Sequence, residues 1–399
     1  MSKGTIIYMG GFELPDKNAA AHRVVANGKI MRNLGYEVVF VGMNKSNGLS
    51  ENFVRCDQDF FGFECWSIPY PAGFISWIKY ILGLPEILDF VAAERPNKVV
   101  GVICYNYPAV AQLRINSLCR KRGIKHFADA TEWYDASGGN LMYRVVKWLD
   151  TSLRIHVVNA RSDGVITTSK FMTSFYAKRN KRTVELPTLF DADKFQAPPI
   201  IKDRLRRKFI YVGIPFDIGR INKNRTNLKE RLDLSILLFS KLYEEGELFD
   251  FVIYGVSKDE YLTVFPEHHD LLIKMADCVH FNGRQPNKVV LDSIADSDVS
   301  IFFRDETRVT LAGFPSKLAE SISCGTPVLS NKMVSIEDYA GLGSLFLAEK
   351  GEELSVIKGL MRMSMQEINE LKAMSFESRF FDYRRFQARF ESFFKQVGI

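Results

Sequence analysis

The sequence predicts an α/β protein of two doubly wound units facing a central cleft. Three observations carry this. The chain has 399 residues, the length of two ordinary domains. Short apolar runs alternate with longer helical patterns, the rhythm of parallel strands joined by crossover helices. That rhythm is interrupted once, at Pro198-Pro199 and the basic run Arg204 to Lys208, and then restarts. Hydrophobic residues make up 46% and charged residues 25%, the balance of a globular chain with a large core. A net charge of +6 suits an anionic ligand or an anionic membrane surface and is too small to indicate nucleic acid. The six cysteines show no CxxC and no metal-like spacing, which predicts a reduced, cytoplasmic interior. Met1 to Thr5 is expected to lead straight into a strand without a signal peptide, and no apolar run approaches the ~20 residues that cross a bilayer.

In chain order, Thr5 to Met9 is an apolar run ending at Gly10-Gly11, and Asn18 is placed to cap a helix that runs to about Leu34. Gly35 ends it, and Glu37 to Val41 is the next strand. This is a βαβ opening without the G-x-G-x-x-G fingerprint, so an NAD-type domain is disfavoured. Further strands are expected at Glu64 to Ile68, Val99 to Cys104, Ile124 to Ala128 and Gly164 to Thr168. Helices are expected over 73–94, 108–122, 139–160 and 169–179. The basic run after Pro198-Pro199 reads as a solvated hinge. Beyond it, strands are expected at Phe209 to Val212, Phe251 to Tyr254, Val279 to Phe281 and Val299 to Phe303. Helices are expected at Leu228 to Glu245 and Glu352 to Met374. In the helical tail, Tyr383, Phe386, Phe390, Phe393 and Phe394 fall on one face and predict packing against a domain.

The most informative stretch is Gly313 to Asn331. Gly313 and Pro315 break the preceding element, and Ser316 is expected to cap a helix starting at Lys317. Leu318, Ala319 and Ile322 give it an apolar face, Gly325 and Pro327 end it, and Val328-Leu329 enters a strand. Unpaired N–H groups at such a start attract anions. Lys317 in the first turn opposes the helix dipole unless an anion is present. Glu320 lies four residues beyond Ser316, on the same side.

Phe314-Pro315-Ser316-Lys317-Leu318-Ala319-Glu320, with Gly325-Thr326-Pro327-Val328, resembles the donor-site motif of the retaining glycosyltransferases of family 4. The resemblance covers essentially the whole chain. It also draws on Gly10-Gly11 with Ala20 to Val24, Gly164 to Ser169, Leu186 to Asp191, Tyr211-Val212-Gly213 and Val279 to Gly283. It implies the GT-B fold, two Rossmann-like domains facing a central cleft. Residues 1–200 would then form the acceptor domain and 201–374 the nucleotide-sugar domain, with a helix in 375–399 packing back on the first. It implies that Glu320 holds the ribose of a nucleotide-sugar donor. The loop before it, with Gly11 from the first domain, would cradle diphosphate and sugar. The family's two glutamates are separated by seven residues, and here the first is replaced by Ala312. The family's Gly-Arg after the first strand of the second domain becomes Gly213-Ile214, leaving Arg220 or Lys223 to supply the cation.

The donor-site expectation therefore comprises Gly11, Arg304, Phe314, Pro315, Ser316, Lys317, Leu318 and Glu320, and the catalytic one Asp129, Arg220 and Lys223. Asp129 and Glu132 follow a strand and read either as cleft residues or as caps. Arg304 and Arg308 also follow a strand end, and His22 lies on the first helix near the glycine loop. Asp191-Ala192-Asp193 matches D-x-D but precedes the hinge rather than ending a strand in a nucleotide-binding half. No cofactor and no metal are expected, so leaving-group charge falls to cations and a helix start. The expected partners are a nucleotide-sugar and a glycan or lipid-linked acceptor in surface polysaccharide or glycolipid assembly. The alternatives are a nucleotide-sugar 2-epimerase and a non-catalytic nucleotide-sugar-binding subunit. Phe74 to Leu82 and Tyr143 to Arg161 have the composition of interfacial helices, which fits peripheral contact with the inner face of the membrane and equally fits buried helices.

Overall fold

The computed structural model describes residues 2–14, 19–44, 54–56, 60–71, 74–83, 86–93, 97–133, 141–179, 182–202, 204–216, 218–219, 221, 225 and 228–399. The positions of Asn18, Arg220 and Lys223 lie outside these residues.

The first half builds a sheet from β1 (Thr5–Gly10), β2 (Glu37–Asn44), β3 (Val54–Arg55), β4 (Glu64–Pro69), β5 (Val99–Tyr105), β6 (Lys125–Ala130), β7 (Gly164–Thr167) and β8 (Thr183–Glu185). The spatial order is β3-β4-β2-β1-β5-β6-β7-β8. All neighbours are parallel except the two-residue β3, which runs antiparallel to β4. Every residue of β1 is buried, because helices cover both faces. The helices are α1 (Ala19–Asn33), α2 (Phe74–Leu82), α3 (Glu86–Ala93), α4 (Ala109–Arg122), α5 (Leu141–Leu153) and α6 (Lys170–Ala177).

The second half is a parallel sheet of β9 (Arg207–Val212), β10 (Phe249–Tyr254), β11 (Val279–Phe281), β12 (Val299–Phe302), β13 (Val328–Asn331) and β14 (Leu345–Ala348). Its order is β11-β10-β9-β12-β13-β14. Its helices are α7 (Leu232–Glu244), α8 (Lys258–Val264), α9 (His269–Lys274), α10 (Asn287–Asp296), α11 (Arg308–Ala312), α12 (Ser316–Ser323), α13 (Glu353–Arg362) and α14 (Met365–Ser378). The helix α15 (Gln387–Val397) follows.

Three expectations are corrected. The segment expected as one helix over 73–94 is two, because Gly83 ends α2 at a left-handed φ of 73°. A Cβ at Gly83 would lie 2.6 Å from that of Ala111 on α4, so the break also lets the backbone pack closely there. Glu352 to Met374 divides at Ser364, whose hydroxyl accepts from the Glu367 N–H at 3.2 Å while Glu367 accepts from the Ser364 N–H at 2.7 Å. This reciprocal cap starts a new helix more favourably than the old one continues. The basic run is not a solvated hinge. Arg206 pairs with Asp277 at 2.9 Å, Arg204 and Arg207 each reach Asp298 at 3.6 Å, and Arg207 opens β9 as a buried residue.

The chain crosses between the halves twice, and the crossings bond to each other. Phe190 N–H donates to Phe381 C=O at 2.9 Å, and Tyr383 N–H donates to Phe190 C=O at 3.0 Å. The carboxylates of Asp191 and Asp193 are held by Lys29, Arg379 and Arg384, which tie the same two segments together. After the second crossing α15 lies on the first sheet. Phe394 packs with Phe127 and Tyr36, both at 5.4 Å between ring centres, and Phe393 takes the space a side chain at Gly164 would need. Replacing Phe394 by alanine is expected to cost about 3–5 kcal/mol through the cavity it leaves. The test is a shift of the urea unfolding midpoint at unchanged slope.

Candidate functional site

The carboxyl ends of β9 and β12 and the start of α12 converge on one buried carboxylate, Glu230, just before α7. Glu230 is 3% exposed. One oxygen accepts from Arg304 at 2.7 Å; the other accepts from the Tyr211 hydroxyl at 2.6 Å and from the Lys317 ammonium. The Lys317 ammonium also stands over the Tyr211 ring, 4.3 Å from its centre. Gly213, ending β9, leaves room for it, since a Cβ there would lie 2.7 Å from the Lys317 nitrogen. Burial and then the neighbouring Lys229 push the Lys317 pKa down, while Glu320 pulls it up. Burial brings Arg304 down to about 10, so it stays cationic at neutral pH. Arg304 and Lys317 both donate to this one carboxylate at the mouth of the second sheet.

Lys317 and Arg304 thus meet as expected neighbours but on a protein carboxylate that the sequence reading did not single out. The available signal was the run Lys229-Glu230-Arg231, three charges placed immediately before an apolar helix. The start of α12 is one residue earlier than expected. Ser316 is its first residue, Pro315 sits at the cap position, and no side chain caps it. Proline has no side-chain acceptor, so Leu318 N–H turns to the Pro315 carbonyl at 3.0 Å and no side chain caps the N–H groups of Ser316 and Lys317. The side chains of Phe314 and Leu318 belong to the core, Phe314 packing with Tyr339 and Phe381 at 5.6 and 5.8 Å. Near the ligand side these two residues offer backbone only.

Glu320 opens on a different wall. It lines a cavity of about 100 Å³ together with His22 and Lys29 of α1, Phe190 and Asp191 of the first crossing, and Asn287 of α10. Both halves of the molecule therefore bound this space. Burial raises the Glu320 carboxyl to about 7, against the opposing pull of Lys317. The shift is a stability statement. The folded value lies above the unfolded one, so Glu320 contributes stability in acid and that contribution is lost as pH rises through about 7. His22 stands 6.1 Å from Phe190, ring centre to ring centre.

Asp129, at the end of β6, is 1% exposed. It accepts from Arg23 Nη2 at 2.7 Å and from the Tyr8 hydroxyl, and Arg23 also donates to the Leu186 carbonyl at 2.7 Å. This buried pair fastens α1, β1 and β6 to the segment before the first crossing. Glu132, three residues on, acts electrostatically on Lys229 and Arg304 across the cleft. Arg308 lies over Trp133 at 5.1 Å. Gly11 is exposed beyond β1, and a Cβ there would find Met43 and the Tyr80 hydroxyl only at 4.0 Å. Its neighbour Gly10 runs so close to β5 that a Cβ would meet the Tyr105 carbonyl oxygen at 2.2 Å.

Ala312, where the family motif carries its first glutamate, is fully buried between the halves. Its carbonyl accepts from Ser169 at 2.9 Å and Thr168 at 3.3 Å, and its methyl joins Ala128, Ala130, Val165 and Met172. A carboxylate here would be buried among apolar groups, which is costly without a partner.

If Glu230 holds this side of the cleft together, Glu230→Ala leaves two buried cations unpaired and should cost about 3–5 kcal/mol. Urea unfolding reads the loss, and an unchanged midpoint would show that the cations have other partners.

No family profile and no curated protein matches the chain. Solved structures do. Sucrose-phosphate synthase from Thermosynechococcus elongatus superposes with a TM-score of 0.65 at 12% identity over 99% of both chains. A structure from E. coli described as trehalose-6-phosphate bound with UDP-2-fluoro glucose gives 0.66 at 10% identity, again over 99% of both. Anabaena HepE in complex with UDP and glucose gives 0.60 at 12% identity over 98% of this chain and 99% of that one. The chain has the fold of these proteins, the GT-B arrangement of two Rossmann-like units.

Proposed function

We propose that the protein is a retaining, metal-independent glycosyltransferase of the family 4 type. It moves a sugar from a nucleotide-sugar to a glycan or lipid-linked acceptor in surface polysaccharide or glycolipid assembly in the cytoplasm. The observation that carries the reading is Glu320. It stands one turn inside an uncapped helix start, beside Lys317, in a cavity bounded by both halves of a GT-B fold. Two of the structural neighbours are described with UDP or a UDP-sugar bound, which makes uridine nucleotides the first probes.

On this reading the Glu320 carboxylate accepts from the ribose hydroxyls. The diphosphate lies against the first-turn N–H groups of α12, with Lys317 and Arg304 behind it and Gly11 facing it. Arg220 and Lys223 supply further charge, and Lys229 is added to them here. The acceptor oxygen attacks the anomeric carbon on the face from which the diphosphate leaves. The new C–O bond forms as the old one breaks, the bonding pair passes to the leaving phosphate oxygen, and that oxygen takes the acceptor proton. No enzymic nucleophile is consumed. Cations and a helix start are the groups that stabilise charge developing on phosphate. Asp129 serves as a positioning residue, since its carboxylate is occupied by Arg23 and Tyr8.

UDP is expected to raise the melting temperature, because binding to the folded state alone stabilises it by mass action. Glu320→Ala should lose that shift and all sugar transfer while its circular dichroism stays native. No shift with any nucleoside diphosphate, or full turnover by the alanine variant, would sink the assignment.

Because the ionised carboxylate is the better acceptor, UDP affinity should fall about tenfold from pH 8 to pH 6, through the Glu320 value of about 7. Titration calorimetry of Glu320→Gln at both pH values provides the control. Its affinity should change little between them, and an identical slope would assign the effect to another group.

A further inference from the structure

The helices α2 and α5 turn their apolar faces outward. On α5, Met142, Val145, Val146 and Leu149 recur at the i, i+3, i+4, i+7 spacing that normally faces a core, yet all four are exposed, Met142 at 69% and Leu149 at 54%. On α2, Ile75, Ile78 and Leu82 repeat the pattern, with Ile75 at 71%. Trp77 and Trp148 are exposed beside these stripes. Both helices pack on α4. Arg114 of α4 donates to the Leu82 carbonyl at 2.7 Å, and Asp150 of α5 accepts from the Ala109 N–H at 2.7 Å. The two stripes therefore belong to one side of the first domain.

Among the described residues of the two helices, every charge but one is positive. Lys79 on α2 and Arg144 on α5 are exposed, and Lys147 is half-buried. The one carboxylate on the described part of either helix, Asp150, is directed at the start of α4. Monomer surfaces rarely leave contiguous apolar side chains of this size uncovered. The helices are 9 and 13 residues long, too short to span a bilayer, and no helix among the described residues is long and apolar enough to do so. Short amphipathic helices with aromatic and aliphatic residues on one face and cations beside them lie in the headgroup region instead.

We infer that α2 and α5 form a docking face for an anionic lipid bilayer. The face borders the cleft. The Tyr80 ring packs edge-on between Trp77 and Tyr107, each 5.8 Å away, and its hydroxyl, with the Met43 sulfur, is what a Cβ at Gly11 would meet at 4.0 Å. A bilayer held there presents a membrane-borne acceptor to the first domain while the second stays in water. That purpose rests on the proposed glycosyl transfer, whereas the docking itself does not.

The test uses the full chain and vesicles of phosphatidylcholine, alone or mixed equally with phosphatidylglycerol. Sedimentation with the mixed vesicles, weakening with salt and absent with phosphatidylcholine alone, is the expected result, with a blue shift of tryptophan emission. Trp148→Ser/Leu149→Ser and Lys79→Glu/Arg144→Glu should each reduce binding about tenfold or more. All variants should keep a cooperative melt and the UDP-induced shift, which separates failure of docking from failure of the nucleotide site. The inference is overturned if folded wild-type protein stays in the supernatant, or if the serine variant binds as well as wild type. It is also overturned if light scattering shows a wild-type dimer that the serine variant converts to a monomer, because the face then belongs to a second copy.

Discussion

A carboxylate in a nearly dry site needs partners, and Glu230 has three. Its burial is tolerable only because Tyr211, Arg304 and Lys317 all donate to it. Those partners come from the end of β9, the end of β12 and the first turn of α12, so one side chain sets the spacing of three elements of the second domain. That spacing decides where the start of α12 points and where Glu320, one turn on, faces the first domain. The cations would repel one another without it, and an anionic ligand would have to organise them at its own expense.

Asp129 does the corresponding work in the first domain, binding Arg23 and Tyr8 and so anchoring α1. Because α1 supplies His22 and Lys29 to the Glu320 cavity, the two buried networks reach the same space from opposite sides. The carbonyl of Ala312 and the hydroxyls of Thr168 and Ser169 fix the distance between them. The cleft is thus held by short polar contacts rather than by a broad apolar seam, a construction compatible with domain movement.

Most of the strands were legible because they are short apolar runs ended by glycine or a polar residue, and Gly325 and Pro327 punctuate α12; β3 and β8, two and three residues with few apolar side chains, and β14 were not anticipated. The aromatic tail was legible for the same reason: Phe390, Phe393 and Phe394 share a helical face, and all three are buried. What could not be read were pairings set by distant segments. Nothing local marks Glu230 as the partner of residues 74 and 87 positions away. The basic run at 204–208 looks solvated until Asp277 and Asp298 are brought beside it. Gly83 alone does not announce a helix break, since its close approach to Ala111 exists only after α4 has packed.

The return of α15 to the first sheet has a consequence for how the molecule is made. The first sheet presents its Phe127 and Gly164 face to α15, which lies more than 220 residues later in the chain. During synthesis that face waits, apolar and open, while the entire second domain emerges. Native packing of the first half can close only after the second half has been threaded through both crossings, so the two halves mature together rather than in succession. A chaperone that shields the Phe127 face in the interval would act on the nascent chain and have no surface to recognise once α15 has docked.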